Sequence, residues 1–223
     1  MKIIVALDCD IERAKFIIEK IHKDVDIFKV GPVMFVRYPK EILDILAQKE
    51  LKVFLDLKLF DIPNTVKKTI ENIRNLNVNV YSVSLHIAGG FSMLESAKSV
   101  SGNIKLWGVS ILTSIDEIEY AKLGYRYSLQ HQVLHYARIA KKCNLDAIIT
   151  SPRELRYLSK MISGIKFVTP SIRFDKSDDD QKRYLTPLEA KKLGSDYIVI
   201  GRPITESSDP CGVIKRIKEM ING

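Results

Sequence analysis

The chain has 223 residues, 46% of them hydrophobic, and its 35 basic and 27 acidic residues give a formal net charge of +8. No segment approaches the roughly 18 consecutive apolar residues of a transmembrane helix, and the first apolar run, which ends before Asp8, is too short for a signal peptide. The lysines are dispersed rather than gathered in a basic block, so the charge favours a solvated surface over a nucleic-acid interface.

The three cysteines, Cys9, Cys143 and Cys211, are scattered through the chain. They form neither a disulfide framework nor a zinc or redox motif, which predicts a reducing, cytoplasmic location. No set of histidines, cysteines and carboxylates has the spacing of a metal site. The absence of linkers or a change in composition predicts a single domain over residues 1–223.

Strands and helices are predicted to alternate about eight times. The predicted strands are Ile3–Leu7, Ile27–Val30, Val53–Leu57, Val80–Leu85, Lys105–Leu112, Ala147–Ile149, Lys166–Val168 and Tyr197–Ile200. Helical periodicity is clearest in Glu12–Ile21, Val66–Leu76 and Gln132–Ala140. Eight repeats predict an α/β fold, the (β/α)₈ TIM barrel. An open doubly wound sheet is the alternative, which the absence of a GxGxxG fingerprint disfavours.

Polar residues follow nearly every predicted strand. They are Asp8, Lys29, Asp56 with Lys58, His86, Thr113, Ser151, Arg173 and Arg202. A barrel gathers these ends around one mouth, where its active site lies. Asp8 and Ser151 have an alternative role as helix caps, and His86 as a buried core residue.

The segment 56–65, DLKLFDIPNT, carries the most chemistry. Alternation along a strand places Asp56 and Lys58 on one face, and Pro63 suits the first turn of a helix. An amphipathic edge strand is the alternative interpretation. Magnesium on Asp56 and Asp61 is open in principle, but Lys58 already supplies a counter-charge. A substrate carboxylate placed beside Asp56 would be repelled, and its loss as CO₂ would let Lys58 protonate the developing carbanion.

The last strand ends in a segment that suits a phosphate group. Gly201 permits close backbone approach, and Arg202 offers a permanently charged fork, at the position where many barrels bind phosphate. The polar loop before it, residues 170–181, has the character of a mobile lid, and Gln181 is its candidate neutral contact with a ligand.

These motifs together resemble the bacterial orotidine 5′-phosphate decarboxylases. The family signature DxKxxDIPxT matches residues 56–65 without a gap. The resemblance continues through ALD at residues 6–8, FKVG at 28–31, HxAGG at 86–90, LTS at 112–114, TPxIR at 169–173 and GRxI at 201–204. Two positions depart from it, since Ser171 replaces the common glycine of TPGIR and Ile87 replaces an alanine.

The resemblance implies conversion of orotidine 5′-monophosphate to UMP and CO₂ in pyrimidine biosynthesis by a homodimer without cofactor or metal. Lys58 would protonate C6 of the pyrimidine beside Asp56, and Asp8 and Lys29 would hold the ribose. Further implied contacts involve the partner subunit's site for Asp61 and Thr65, the pyrimidine edge for Thr113, and the phosphate for Arg173, Gln181, Gly201 and Arg202.

Two other functions are compatible with parts of this pattern. Magnesium-dependent sugar-phosphate barrels, such as keto-gulonate-phosphate decarboxylase or hexulose-phosphate synthase, share a DxKxxD strand but form an enediolate. The IPNT tail, the lysine of FKVG and the TPSIR loop favour the pyrimidine enzyme. A non-catalytic nucleotide- or RNA-binding barrel is the third reading, and the intact charged set on the third strand speaks against it.

Overall fold

The computed structural model describes residues 1–174 and 184–222, and its core is a closed barrel of eight parallel strands. The strands are β1 (Lys2–Ala6), β2 (Ile27–Val30), β3 (Val53–Leu59), β4 (Val80–His86), β5 (Lys105–Val109), β6 (Ala147–Ile149), β7 (Lys166–Thr169) and β8 (Tyr197–Ile200). Each strand pairs with the next, and β1 also pairs with β8. The predicted barrel is therefore confirmed, and the open sheet is excluded by the closing pair.

Helices surround the barrel and connect its strands. They are α1 (Ile11–Ile21), α2 (Pro32–Arg37), α3 (Pro39–Gln48), α4 (Pro63–Arg74), α5 (Gly90–Val100), α6 (Glu117–Lys122), α7 (Leu129–Lys142), α8 (Pro152–Met161), α9 (Pro187–Lys192), α10 (Arg202–Thr205) and α11 (Pro210–Asn222), with a 3₁₀ turn at Ile87–Gly89. Pro63 opens α4 as predicted, where its missing N–H has no intrahelical partner to lose.

One predicted strand extends too far. The segment Lys105–Leu112 was expected as a strand, but β5 ends at Val109. The chain then turns, because the Leu112 carbonyl accepts a hydrogen bond from the Ile115 N–H. Leu112 and Thr113 consequently lie in a loop after the strand. The single domain over residues 1–223 stays a prediction.

The hydrophobic core has two layers, one on each side of the strands. The larger layer lies between the outward strand residues and the helices. The smaller layer fills the barrel itself and includes Ile4, Phe54, Trp107 and Tyr197. The Trp107 ring lies 4.5 Å from the Phe54 ring and 4.9 Å from the Tyr197 ring, centroid to centroid. This aromatic layer separates the two ends of the barrel, so each end presents its own set of side chains.

Strand β3 departs from regular geometry where its charged residues lie. Its register against β4 shifts between Leu55 and Leu59, and Lys58 has a φ of 48°. A left-handed conformation costs a non-glycine residue about 1–2 kcal/mol. Such strain persists only where the surroundings hold it in place. No helix in the described part of the chain is long and apolar enough to cross a membrane.

Candidate active site

The carboxyl ends of the strands surround a cavity of about 360 Å³. The bottom of the cavity is formed by the aromatic and aliphatic residues that fill the barrel, among them Phe54 and Val168. Its rim carries the charged and polar residues that follow the strands. Eight residues predicted for the site line this cavity, namely Asp8, Lys29, Asp56, Lys58, Thr113, Arg173, Gly201 and Arg202.

Four charged side chains form a continuous chain of alternating sign across the cavity. Lys29 Nζ lies 3.1 and 3.0 Å from the two Asp8 carboxylate oxygens and 3.6 Å from Asp56 Oδ2. Lys58 Nζ lies 2.8 Å from the same Asp56 oxygen. The inner members are shielded from solvent, with 9% of the Lys29 side chain and 12% of the Asp56 side chain exposed. The Lys58 side chain is 35% exposed, which leaves its ammonium accessible to a ligand in the cavity.

Ser84 on β4 holds both charged residues of β3. Its hydroxyl donates a hydrogen bond of 2.8 Å to Asp56 Oδ1 and accepts one of 2.8 Å from the Lys58 backbone N–H. The second bond spans the irregular part of the strand and anchors the unusual backbone of Lys58. Asp56 and Lys58 meet as predicted, but simple alternation along a regular strand is not the reason. The bulge and Ser84 together bring the ammonium to the carboxylate.

Asp56 is held in its ionised form. Burial by itself raises the pKa of this carboxyl, but the Lys29 and Lys58 ammoniums and the hydrogen bonds from Lys58 and Ser84 outweigh it, so the pKa lies below its ordinary value. Each ammonium is a counter-charge that would be lost if Asp56 took up a proton. The cavity therefore holds a fixed negative charge beside the Lys58 ammonium at neutral pH.

Gly31 makes room for the Asp8–Lys29 pair. A Cβ added at this position would lie 2.9 Å from Asp8 Oδ1 and 2.9 Å from Lys29 Nζ, closer than van der Waals contact. Any side chain here would displace at least one of the two charges. The glycine was visible in the FKVG motif, but its steric role depends on the folded position of Asp8 and was missed.

Asp8 and Ser151 were each predicted as either a helix cap or a site residue, and the structure gives them different roles. Asp10, not Asp8, caps α1 by accepting the Arg13 N–H, which leaves the Asp8 carboxylate to Lys29. Ser151 caps α8 in a reciprocal capping box with Glu154, so the structural interpretation is correct for it. His86 is half-buried beside the Phe60 ring, and burial followed by the nearby Lys58 ammonium lowers its pKa.

Two predicted residues lie outside the cavity lining, and a third falls outside the described residues. Asp61 and Thr65 are exposed and lie outside the cavity lining, although residues 56–65 are continuous. The Asp61 carboxylate accepts the N–H of Ile62. Gln181 and the acidic run of the same loop lie outside the described residues.

Thr150 is a further cavity residue that the sequence did not reveal. It follows β6 and is 1% exposed, and its hydroxyl has no hydrogen-bond partner within residues 1–174 and 184–222. A buried hydroxyl without a partner is costly unless a ligand or water completes it. A threonine after a short apolar strand carries no distinctive signal, which is why it was missed.

Of the two departures from the family pattern, the structure accounts for Ile87 but not for Ser171. Ser171 has a φ of 60°, in the left-handed region that favours glycine. Ile87 is fully buried and packs over Gly108, where an added Cβ would meet Ile87 Cγ1 at 2.7 Å. The larger side chain at position 87 thus occupies space that the glycine on β5 leaves open.

Within the described ranges, no group of three or more histidines, cysteines and carboxylates is arranged to hold a metal ion. Asp56, the most buried carboxylate of the cavity, already has Lys58, Lys29 and Ser84 as partners. Its surroundings are those of a carboxylate neutralised by ammoniums.

The model of the orotidine 5′-phosphate decarboxylase / HUMPS family matches residues 1–217. The chain belongs to this family. Orotidine 5′-phosphate decarboxylase of Dictyoglomus thermophilum is 44% identical over 98% of this chain and 94% of its own, and that of Buchnera aphidicola is 40% identical over 99% and 96%.

A solved family structure agrees with the fold. The crystal structure of orotidine 5′-phosphate decarboxylase from Lactobacillus acidophilus superposes with a TM-score of 0.84 at 35% identity, covering 100% of this chain and 99% of its own. The membership predicted from the motifs is confirmed, and the barrel predicted from periodicity is the family's fold.

Proposed function

We propose that this protein decarboxylates orotidine 5′-monophosphate to UMP and CO₂, the activity named for its relatives. The observation that carries the proposal is the alternating chain Asp8–Lys29–Asp56–Lys58 in the cavity at the mouth of the barrel. A fixed carboxylate next to an ammonium suits a reaction in which one negative charge leaves and another develops beside it.

The chemical step follows from the positions of Asp56 and Lys58. The substrate carboxylate lies near the ionised Asp56 and is repelled by it. As the bond from C6 to the carboxylate breaks, CO₂ departs and the electron pair remains on C6. The Lys58 ammonium stabilises this charge and then gives its proton to C6, after which the neutral amine takes a proton from water. Lys29 keeps Asp56 ionised throughout.

The remaining residues of the cavity bind the rest of the substrate in this proposal. Asp8 and Lys29 hold the ribose hydroxyls, and Thr113 meets the pyrimidine edge. The phosphate lies at the opposite rim against the ends of β7 and β8. Its contacts are Arg173, Gln181, Gly201 and Arg202. The two arginines supply the charge-assisted hydrogen bonds that phosphate oxygens favour.

We further propose that the active form is a homodimer in which Asp61 and Thr65 enter the partner subunit's cavity. Both residues are exposed beside their own cavity rather than in it. The apolar side chains around them are also exposed, with 63% of Phe60 and 66% of Ile62 accessible. Large apolar side chains exposed together mark an association surface.

Decarboxylation in the presence of a chelator tests the proposed reaction. Purified protein is mixed with orotidine 5′-monophosphate and excess EDTA, and the ultraviolet absorbance of the orotate group is followed. Its loss with formation of UMP is the expected result. Retention of the band by folded protein, with turnover of a sugar phosphate on adding magnesium, would instead place the chain among the metal-dependent barrels of the same family.

Subunit mixing tests the shared site. Lys58→Ala and Asp61→Ala proteins are each inactive in the proposal, but a hybrid dimer has one cavity with both residues intact. Mixing them under conditions of verified subunit exchange should restore part of the activity. No recovery would contradict a contribution from Asp61 across the interface.

We also propose that the protein is located in the cytoplasm. The three cysteines are free, and burial raises the pKa of the Cys143 thiol, which keeps it protonated. Unpaired thiols favour the reducing cytoplasm. Fractionation of the native cells would check it, with activity expected in the cytoplasmic fraction.

A further inference from the structure

The end of the barrel opposite the cavity carries a second group of charged side chains. Lys2, Lys105 and Lys166 are the first residues of β1, β5 and β7, and Lys52 immediately precedes β3. We call these four residues the lysine floor. All four lie at the start of odd-numbered strands, and alternate strands of a barrel supply the side chains of one layer.

Strand periodicity directs the lysine floor toward the barrel axis. Each lysine lies two residues before a side chain that fills the barrel, and residues i and i+2 share a face. Those interior residues are Ile4, Phe54, Trp107 and Val168. The four ammoniums therefore converge at one end of the barrel instead of spreading along an outer face.

Two tyrosines form the apolar base beneath the lysine floor. The Tyr81 and Tyr197 hydroxyls are 2.9 Å apart. Three ammoniums lie over the Tyr81 ring, with Nζ 5.3 Å from its centroid for Lys105, 5.5 Å for Lys2 and 5.9 Å for Lys52. The fourth, from Lys166, lies 5.9 Å from the centroid of the Tyr197 ring.

The lysine floor has no carboxylate partner among residues 1–174 and 184–222. Lysines elsewhere, such as Lys15, Lys98 and Lys218, form ion pairs of 2.7–2.9 Å. Three aspartates precede neighbouring strands at this end, and none of their carboxylates forms an ion pair with a lysine of the floor, although Asp146 pairs with Lys98. All three accept backbone N–H groups. These bonds join Asp26 to Ile3, Asp146 to Leu106 and Asp196 to Phe167.

The ammoniums of the lysine floor also act on the phenol beneath them. Burial by itself raises the pKa of Tyr81, but the hydrogen bond with Tyr197 and the ammoniums of three floor lysines bring it below its ordinary value. Converging like charges repel one another, and a bound anion would relieve that repulsion.

We propose that the lysine floor is a binding site for a small multivalent oxyanion of the condensed-phosphate class, separate from the cavity at the other end. Lysine ammoniums bind phosphate oxygens as point charges. Four of them grouped over two rings match the several oxygens of a di- or triphosphate chain. A nucleic-acid backbone is disfavoured because its phosphates need cations spread along a face.

Calorimetry with inorganic tripolyphosphate and with ATP tests the site, in EDTA at physiological ionic strength. The test variant is K2Q/K52Q/K166Q, three exposed residues whose replacement removes no core packing. The matched control is K122Q/K160Q/K215Q, which removes the same charge from exposed helix positions. The floor variant should bind tripolyphosphate at least about tenfold more weakly, and the control should bind like the original chain.

Comparing the two ligands shows whether the site accepts a nucleotide or only the free anion. A variant of the cavity shows whether the anion binds at the lysine floor or in the cavity. Binding of both ligands assigns the site to any triphosphate chain, and binding of tripolyphosphate alone assigns it to the free anion. Arg202→Gln should leave the floor-dependent binding unchanged. The proposal is overturned if neither ligand binds, if the floor and control variants weaken binding equally, or if only Arg202→Gln abolishes it.

Discussion

The two ends of this barrel carry different arrangements of charge. At the cavity end, inward side chains alternate in sign, and Asp56 and Lys29 are almost completely buried. At the lysine floor, all four inward side chains are positive and contact aromatic rings instead of carboxylates. Strand β3 links both, with Lys52 immediately before it at one end and Asp56 and Lys58 in it toward the other.

This contrast shows what the fold supplies and what individual residues supply. A barrel strand gives every second residue access to the interior at either end. Charged side chains can take part in catalysis where opposite signs are held together and shielded from solvent, as at the cavity. Like charges near solvent instead create a field that attracts an anion.

The largest expected effect comes from removing the ammonium at the cavity. Lys58→Ala should lower kcat for orotidine 5′-monophosphate by about 10³-fold or more, because the proton donor is lost. Lys52→Ala, immediately before the same strand and in the lysine floor, is the matched control and should retain turnover. Steady-state kinetics of both variants provides the measurement. Equal losses would remove the functional distinction between the two ends.

A smaller effect is expected from a side chain that displaces the Asp8–Lys29 pair. Gly31→Ala places a methyl group within 2.9 Å of Asp8 Oδ1 and Lys29 Nζ. Displacing these groups by about 1 Å should reduce kcat/KM by about 10²-fold while the fold is kept. Kinetics together with circular dichroism checks this. Unchanged kinetics would show that the pair tolerates a shift.

Two serines on β4 offer a matched test of the hydrogen bonds at Asp56. Ser84 bonds to Asp56 and Lys58, whereas the Ser82 hydroxyl, equally buried, has no partner within the described residues. Ser84→Ala should lower the free energy of unfolding by about 1–3 kcal/mol, and Ser82→Ala should lower it far less. Urea denaturation measures both. A reversed order would contradict the anchoring role of Ser84.

The smallest effect concerns pH. Burial and the Lys58 ammonium lower the pKa of His86, so the folded state binds this proton more weakly than the unfolded state. Its contribution to stability is therefore complete above the ordinary histidine pKa of about 6.5 and decreases as the pH falls below it. In His86→Gln, the free energy of unfolding should fall less between about pH 7 and 5 than in the original chain.

The control for this measurement is His135→Gln, an exposed position on α7. Denaturation curves at several pH values should show the flatter dependence only for His86→Gln. The same dependence in all three proteins would argue against burial of a neutral imidazole beside Lys58.

Much of the site could be predicted because its residues follow strands in a repeated pattern. Asp8, Lys29, Asp56 and Lys58 each follow or end an apolar run, and the barrel brings such ends together. The contributions of Gly31, Ser84 and Thr150 could not be predicted, because they depend on which atoms the folded chain places nearby. The predicted end of β5 was also wrong, because the turn after Val109 depends on a backbone hydrogen bond between Leu112 and Ile115.

The sequence by itself determined the order of strands and helices, the family, and the charged residues at the strand ends. These features are encoded locally, in periods of two and about 3.6 residues and in short motifs. Only the tertiary structure decided that Asp8 pairs with Lys29 while Asp10 caps α1, and that Ser84 anchors a bulged Lys58. The physical reason is barrel closure, which brings into contact groups 21 to 28 residues apart along the chain.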